Sequence, residues 1–211
     1  ENTMSKPATQ SAERTALVYD DDGLGRPPWA MSSPMLKEYY DTEWGLPIFD
    51  EAALYERLSL ESFQSGLSWA VVLKKREAFR AAFCDFDPEK VAQFTETDVE
   101  RLLGDASIIR NETKIRAAIT NAKATIALRE EGGLAEFIWS FQPPENLYPT
   151  AMEDIPKKSD ESKLMSRELK KKGFRFVGPV TCFALMEAIG MIDTHLIGSC
   201  LLYTSDAADD T

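Results

Sequence analysis

Hydrophobic residues recur along this chain at spacings of three and four rather than two, and that period predicts helices. Asp50 stands as an N-cap, with Leu54, Leu58 and Glu61–Ser62 carrying one helix toward Gly66. From Trp69 to Phe83 the apolar positions Val72, Leu73, Phe79 and Phe83 predict a second helix. Asp87 before Pro88 is an N-cap with proline at the first helical position, where its missing N–H costs nothing. Thr95 and Asp98 have capping-box spacing, and Gly104 ends the helix they begin. Further helices are predicted over 112–130, 134–141, 159–172 and 179–190. Since no alternating stretch of useful length intervenes, the expected fold class is all-α.

The ends read differently from the middle. Residues 1–24 are polar and acidic, with three residues ahead of Met4, and are expected to form a disordered N-terminal segment. The run Cys200–Asp209 reads as one translated frame of a sequencing adapter, so 200–211 is set aside as a non-native tail and 25–199 taken as the domain. With 211 residues and 44% hydrophobic content, the chain suffices for one ordinary domain or two small lobes around a cleft. The absence of a bilayer-length apolar run or a basic-then-apolar leader points to a soluble, cytoplasmic protein without a membrane partner. Cys84, Cys182 and Cys200 have neither metal-ligand spacing nor a disulfide framework.

A net charge of −11 argues against phosphate contact at first sight. The two ends hold eight of the 35 acids and two of the 24 bases, however, which leaves the middle at −5. A binding protein needs one basic face rather than a basic total. The candidates are Lys74–Arg76, Arg110 with Lys114 and Arg116, and Lys170–Lys172 with Arg175; the alternative for each is a solvated surface.

Three tryptophan-centred stretches carry the candidate chemistry: RPPW at 26–29, YYDTEWG at 39–45 and LESFQSGLSW at 60–69. Aromatic faces with one carboxylate suit a flat, cationic ring such as a methylated purine. From the residues alone the tryptophans serve as well in a core, and Glu61 as a cap or ion-pair partner. Together, however, these stretches closely resemble the 3-methyladenine DNA glycosylase I family, within the helix-hairpin-helix glycosylase superfamily. The likeness continues through 72–77, 86–91, 108–114, 139–141, 173–178 and 193–195, in order, so that it spans roughly 26 to 199.

The resemblance implies two helical lobes flanking a base-binding cleft. It places Trp29, Tyr39, Trp44 and Trp69 on the base, with Glu61 as the catalytic-site residue that hydrogen-bonds the purine edge. Gly66 and Leu67 match the wedge that fills the gap left by a flipped nucleotide. A hairpin near 107–116, with Lys74, Lys75, Arg110 and Lys114, is expected at the DNA backbone, although the hairpin's usual glycines are missing. The family lacks the catalytic aspartate found after the hairpin in many relatives.

Two departures stand out. The family's structural zinc is held by two cysteines and two histidines, whose positions match Pro27, Tyr40, His195 and Ser199 here. One good ligand in four cannot close a tetrahedral site, so no metal or other cofactor is expected. Tyr40 and His195 are expected to replace the metal by a hydrogen bond and ring packing. Leu36 stands where many members have a pocket tyrosine. The implied activity is monofunctional excision of 3-methyladenine from alkylated double-stranded DNA by a monomer. The alternatives are a non-catalytic damaged-DNA-binding module and a glycosylase retuned to another alkylated base.

Overall fold

A computed structural model describes residues 16–200. Ten α-helices account for most of it: α1 Pro34–Thr42, α2 Glu51–Gln64, α3 Trp69–Lys74, α4 Arg76–Ala82, α5 Pro88–Ala92, α6 Glu96–Leu103, α7 Glu112–Leu128, α8 Leu134–Trp139, α9 Asp160–Lys171 and α10 Pro179–Ala188. The fold is all-α, as the periodicity predicts. Asp50 caps α2 through Ala53 N, Asp87 caps α5 through Glu89 N, and Thr95 with Asp98 closes a capping box on α6.

The expected helix from Trp69 to Phe83 is two helices, broken at Lys75, whose N–H turns back to Val72 O at 3.0 Å. The break lets α3 bridge the two cores, with Val72 in the main core, while α4 serves the main core. Leu73 of α3 packs with Leu36 and Tyr39, whereas Phe79 and Ala82 of α4 join the main core.

The expectation of no strand is corrected by a two-residue hairpin, β1 Val18–Tyr19 against β2 Gly25–Arg26. Its turn closes through Gly23 N to Asp20 O at 2.8 Å, with Gly23 at φ +76°. Two-residue strands are too short to leave an alternating pattern. The hairpin also narrows the segment expected to be disordered, since Lys37 bonds Asp20, and the buried Arg26 pairs with Asp22 and Asp41. Residues 1–15, the remainder of that segment, and 201–211, nearly all of the expected tail, lie outside the described residues. Cys200 itself is within them, its N–H donating to Gly25 O at 3.1 Å.

The main core is organised around α2, in which every residue from 57 to 63 is buried. Phe63 meets Phe79 at 4.6 Å between ring centroids, and Phe83 stacks on Phe86 at 5.5 Å. A helix buried on all sides needs neighbours to satisfy its polar groups. α7 supplies them: Tyr55 Oη donates to Ala118 O at 2.6 Å, and Lys114 Nζ donates to Phe63 O at 2.8 Å and Ser65 O at 2.6 Å. Lys114 therefore caps the C-terminus of α2, where carbonyls lack helical partners.

That placement corrects the expected role of Lys114 at the DNA backbone. Its side chain is 7% exposed, and burial lowers its pKa. Lys114→Met is expected to cost about 1–3 kcal/mol in denaturant unfolding, because it leaves buried carbonyls without a donor. The same variant should leave the salt dependence of DNA binding unchanged; a flatter slope would return Lys114 to the phosphate face.

Candidate active site

A cavity of about 190 Å³ lies between the small cluster formed by α1 and α3 and the inner ends of α2 and α10. Trp29, Tyr39, Trp44, Glu61, Gln64, Trp69, Ala184 and Glu187 line it. The five residues expected to read a base are thus brought together, although 40 positions separate Trp29 from Trp69.

The aromatic residues brace one another. Trp29 meets Trp44 edge-on at 5.5 Å, and Tyr39 meets Trp69 at 5.5 Å. They are positioned by local signals: Trp29 lies in a 3-10 turn begun at Pro28, and Ser33 caps α1, which carries Tyr39 inward. Tyr39 is held from behind, its hydroxyl accepting from Arg57 Nη1 at 2.9 Å. Arg57 also reaches Glu43, which Arg76 grips through two bonds of 2.5 and 2.8 Å. An oxygen that accepts from a guanidinium keeps its own proton to donate. Leu36 lies beneath the pocket in the small cluster rather than on its lining.

Glu61 is 5% exposed and makes no hydrogen bond to another described residue, so its carboxyl is open to the cavity. Burial pushes its pKa up to about 8, with Glu187 adding to the rise and Arg57 opposing it. A desolvated acid in a cleft with no fixed partner fits a group that waits for a ligand. Gln64, Ala184 and Glu187 are the lining residues that sequence reasoning missed. Glu187 sits in the run ALMEAIG of α10, where a single acid among apolar residues is the only signal it gives.

Gly66 and Leu67 form an exposed turn just beyond α2, Gly66 at φ +80° and Leu67 39% exposed. The left-handed conformation favours glycine there. The turn is closed by Leu67 N to Gln64 O at 2.7 Å. Residues 104–111 join α6 to α7 in the expected hairpin position. In place of glycines, Asp105 shapes the bend by accepting from Ser107 N at 2.9 Å, and Asn111 caps α7.

Contacts tie the hairpin to the wedge turn. Lys75 Nζ reaches Ser107 O at 3.4 Å, and Lys114, in the first turn of α7, holds Ser65 beside Gly66. Lys74 and Arg110 are exposed and pair with no acid among the described residues. The other expected cations are largely committed: Arg76 to Glu43, Arg116 to Glu96 and Glu112, Lys171 to Glu168 and Lys172 to Glu131.

The four positions matching the family's zinc ligands meet, but their donors do not fit the metal. Pro27 offers no side-chain donor, and Tyr40 Oη is hydrogen-bonded to Ser199 Oγ. His195 Nδ1 is bound to Asp193 at 2.7 Å, while its buried Nε2 has no partner among the described residues. One imidazole nitrogen is a single ligand. The ring of His195 lies edge-on to Trp44 at 4.8 Å and to Tyr40 at 5.6 Å, and Tyr40 stacks on Trp44 at 5.6 Å.

The fold and pocket define a class, helical proteins with an aromatic cavity that ends on a buried acid beside an exposed glycine turn. A model of methyladenine glycosylases matches residues 29–203, and the chain belongs to that family. It is 44% identical over 175 residues to DNA-3-methyladenine glycosylase 1 of Escherichia coli K12, covering 82% of this chain and 94% of that protein. A crystal structure of 3-methyladenine DNA glycosylase I superposes with a TM-score of 0.79 at 41% identity, covering 82% of this chain and 97% of that one. A Staphylococcus aureus 3-methyladenine DNA glycosylase I, solved to explain 3-methyladenine recognition, gives 0.77 at 38% identity, covering 81% and 92%.

Burying Glu61 has a pH signature. Its folded pKa of about 8 exceeds the ordinary value of 4.5, so the unfolded chain loses this proton first as pH rises. The folded state therefore loses stability between about pH 4.5 and 8 on account of this group. Glu61→Gln should melt close to the parent at pH 4.5 and clearly above it at pH 8. A melting difference that does not grow with pH would show that the carboxyl is not held in this way.

Proposed function

We propose that this chain hydrolyses the N-glycosidic bond of 3-methyladenine in alkylated double-stranded DNA, as a monomeric, monofunctional repair enzyme of the cytoplasm. The observation that carries this reading is the convergence of Glu61 and four aromatic rings on one cavity, in a member of the methyladenine glycosylase family. Among the described residues no helix is long and apolar enough to cross a membrane.

The chemistry follows from the charge of the substrate. Extruding a nucleotide costs a few kcal/mol of stacking and pairing, which the pocket must recover. Leu67 fills the vacated space, Lys74, Lys75 and Arg110 hold the backbone, and the aromatic rings take the base. Each ring facing a cation contributes about 0.5–2 kcal/mol, a preference that neutral adenine does not receive. Glu61 ionises as the cationic base enters, releasing its proton to solvent, and its carboxylate accepts from the purine edge. When the bond from C1′ to the base nitrogen breaks, its electron pair passes to the ring and the base becomes neutral. Water adds to C1′ and gives up a proton, leaving an abasic site and a free base. A leaving group that already carries positive charge needs no strong acid, so holding the base and stabilising the sugar cation supply most of the rate.

Release of free 3-methyladenine from methylated DNA is the direct test. Glu61→Gln and Trp69→Ala should each lower kcat/KM by roughly tenfold to a hundredfold, the equivalent of one charge-assisted contact. For the parent, kcat/KM should rise with pH up to about 8, as Glu61 ionises in the free enzyme, and this limb should be missing in Glu61→Gln. Specific binding to an abasic analogue without base release would favour a damage-binding module instead.

We further propose that the contacts of Tyr40, Trp44, His195 and Ser199 stand in for the family's zinc. Prolonged chelation should leave both melting temperature and base release unchanged. Stoichiometric zinc in the purified protein by elemental analysis would overturn this reading.

A further inference from the structure

Glu187 enters the base cavity from α10, opposite in sequence to everything the family motifs place there. Its neighbours Leu185, Met186 and Ala188 are fully packed apolar residues. Its one direct hydrogen bond is from Thr194 Oγ1 to Oε2 at 2.7 Å. No lysine or arginine among the described residues pairs with it. Glu61 is the other acid on the lining and also has no ion pair among the described residues, whereas acids just outside the cavity are answered by cations: Glu43 by Arg57 and Arg76, Asp41 by Arg26, Glu56 by Arg80.

An acid in such surroundings is costly unless something complements it, and the open side of Glu187 is the base cavity. The groups that face it are few. Glu61, with Arg57 behind it, comes from α2 and Tyr39 from α1, while Thr194 and His195 come from the turn after α10. Glu187 thus shares the base cavity with a second acid and forms no ion pair with a described residue, which leaves its carboxyl open to a cationic ligand.

We propose that Glu187 is a second substrate-reading acid of this pocket, a specificity-determining residue that acts with Glu61 to select purines carrying positive charge. The inference rests on the glycosylase reading above and deepens it. Two carboxyls in one desolvated cavity do not both ionise while it is empty, and burial raises Glu187 to about 7, with Thr194 opposing the rise. Entry of a cationic base relieves that conflict; entry of a neutral base does not. The pocket is thereby tuned against undamaged adenine by charge as well as by shape.

The experiment compares the parent with Glu187→Gln, which keeps the size of the side chain and an oxygen for Thr194. Base release from methylated DNA by the parent tests the glycosylase reading; the ratio of variant to parent tests this one. Glu187→Gln is expected to lose about tenfold in kcat/KM for 3-methyladenine. Its acid limb should also move to lower pH, because Glu61 no longer has a like charge beside it. The limb shift reports only that the two carboxyls are coupled, which a structural glutamate would also show; an unchanged kcat/KM overturns the proposal whatever the limb does.

If the parent releases no base, tryptophan-fluorescence titration with the cationic nucleoside 7-methylguanosine and with neutral guanosine replaces turnover. The parent should prefer the cation and Glu187→Gln should lose most of that preference; equal discrimination by both proteins, or none by the parent, overturns the proposal. Should Glu187→Gln fail to fold, carbon-13 carboxyl titration of the parent needs no variant. The Glu187 resonance should titrate at lower pH with the cationic nucleoside bound, and a curve that does not move refutes the role.

Discussion

Everything around the pocket depends on burying α2 on all sides while leaving one of its carboxyls open to a cavity. A helix in that position has no solvent to satisfy its end carbonyls or its polar side chains. Lys114 bonds Phe63 O and Ser65 O, Tyr55 bonds Ala118 O, and Ser59 and Ser62 return their hydroxyls to the carbonyls of the preceding turn. With those groups answered, Glu61 is the carboxyl of α2 left without a partner at the base cavity, and its raised pKa measures that isolation. A site that keeps an unpaired acid in an apolar setting gives up folding stability for recognition.

The same helix joins the pocket to the exposed turn at Gly66–Leu67. Its last residue, Gln64, lines the cavity and also bonds Leu67 through backbone and side chain. Lys114 then joins this turn to the start of α7, where the hairpin delivers Arg110. The cavity and the exposed turn at Gly66–Leu67 are thus carried by α2, which Lys114 and Tyr55 join to α7.

The far wall is built from packed rings. Tyr40 stacks on Trp44 and bonds Ser199, and His195 meets both rings edge-on. Trp44 also lines the base cavity, so this arrangement fixes a pocket wall while it joins α1 to the C-terminal turn. Ring packing and one hydroxyl contact are non-covalent and individually small, and their strength lies in being buried together.

Helix existence was legible from the sequence because period, caps and stops are local: Asp50, Asp87, Thr95 with Asp98, and Gly104 each act within one turn. The aromatic residues and Glu61 were singled out by the family resemblance that their motifs carry, since residue type alone left a core or capping role open. The break at Lys75 was not, since it reflects how α3 packs on both cores at once, and the hairpin at Val18 was too short to leave a period. Lys114 read as a surface cation because charge predicts exposure on average, whereas its partners lie 49 and 51 residues away. Glu187 gave only an acid in an apolar run. Residue type and local spacing determined the elements and the chemistry on offer. Only tertiary packing decided which charges meet a partner, which stay open to the cavity and which serve the fold, because desolvation and pairing depend on neighbours that the chain brings from far along its length.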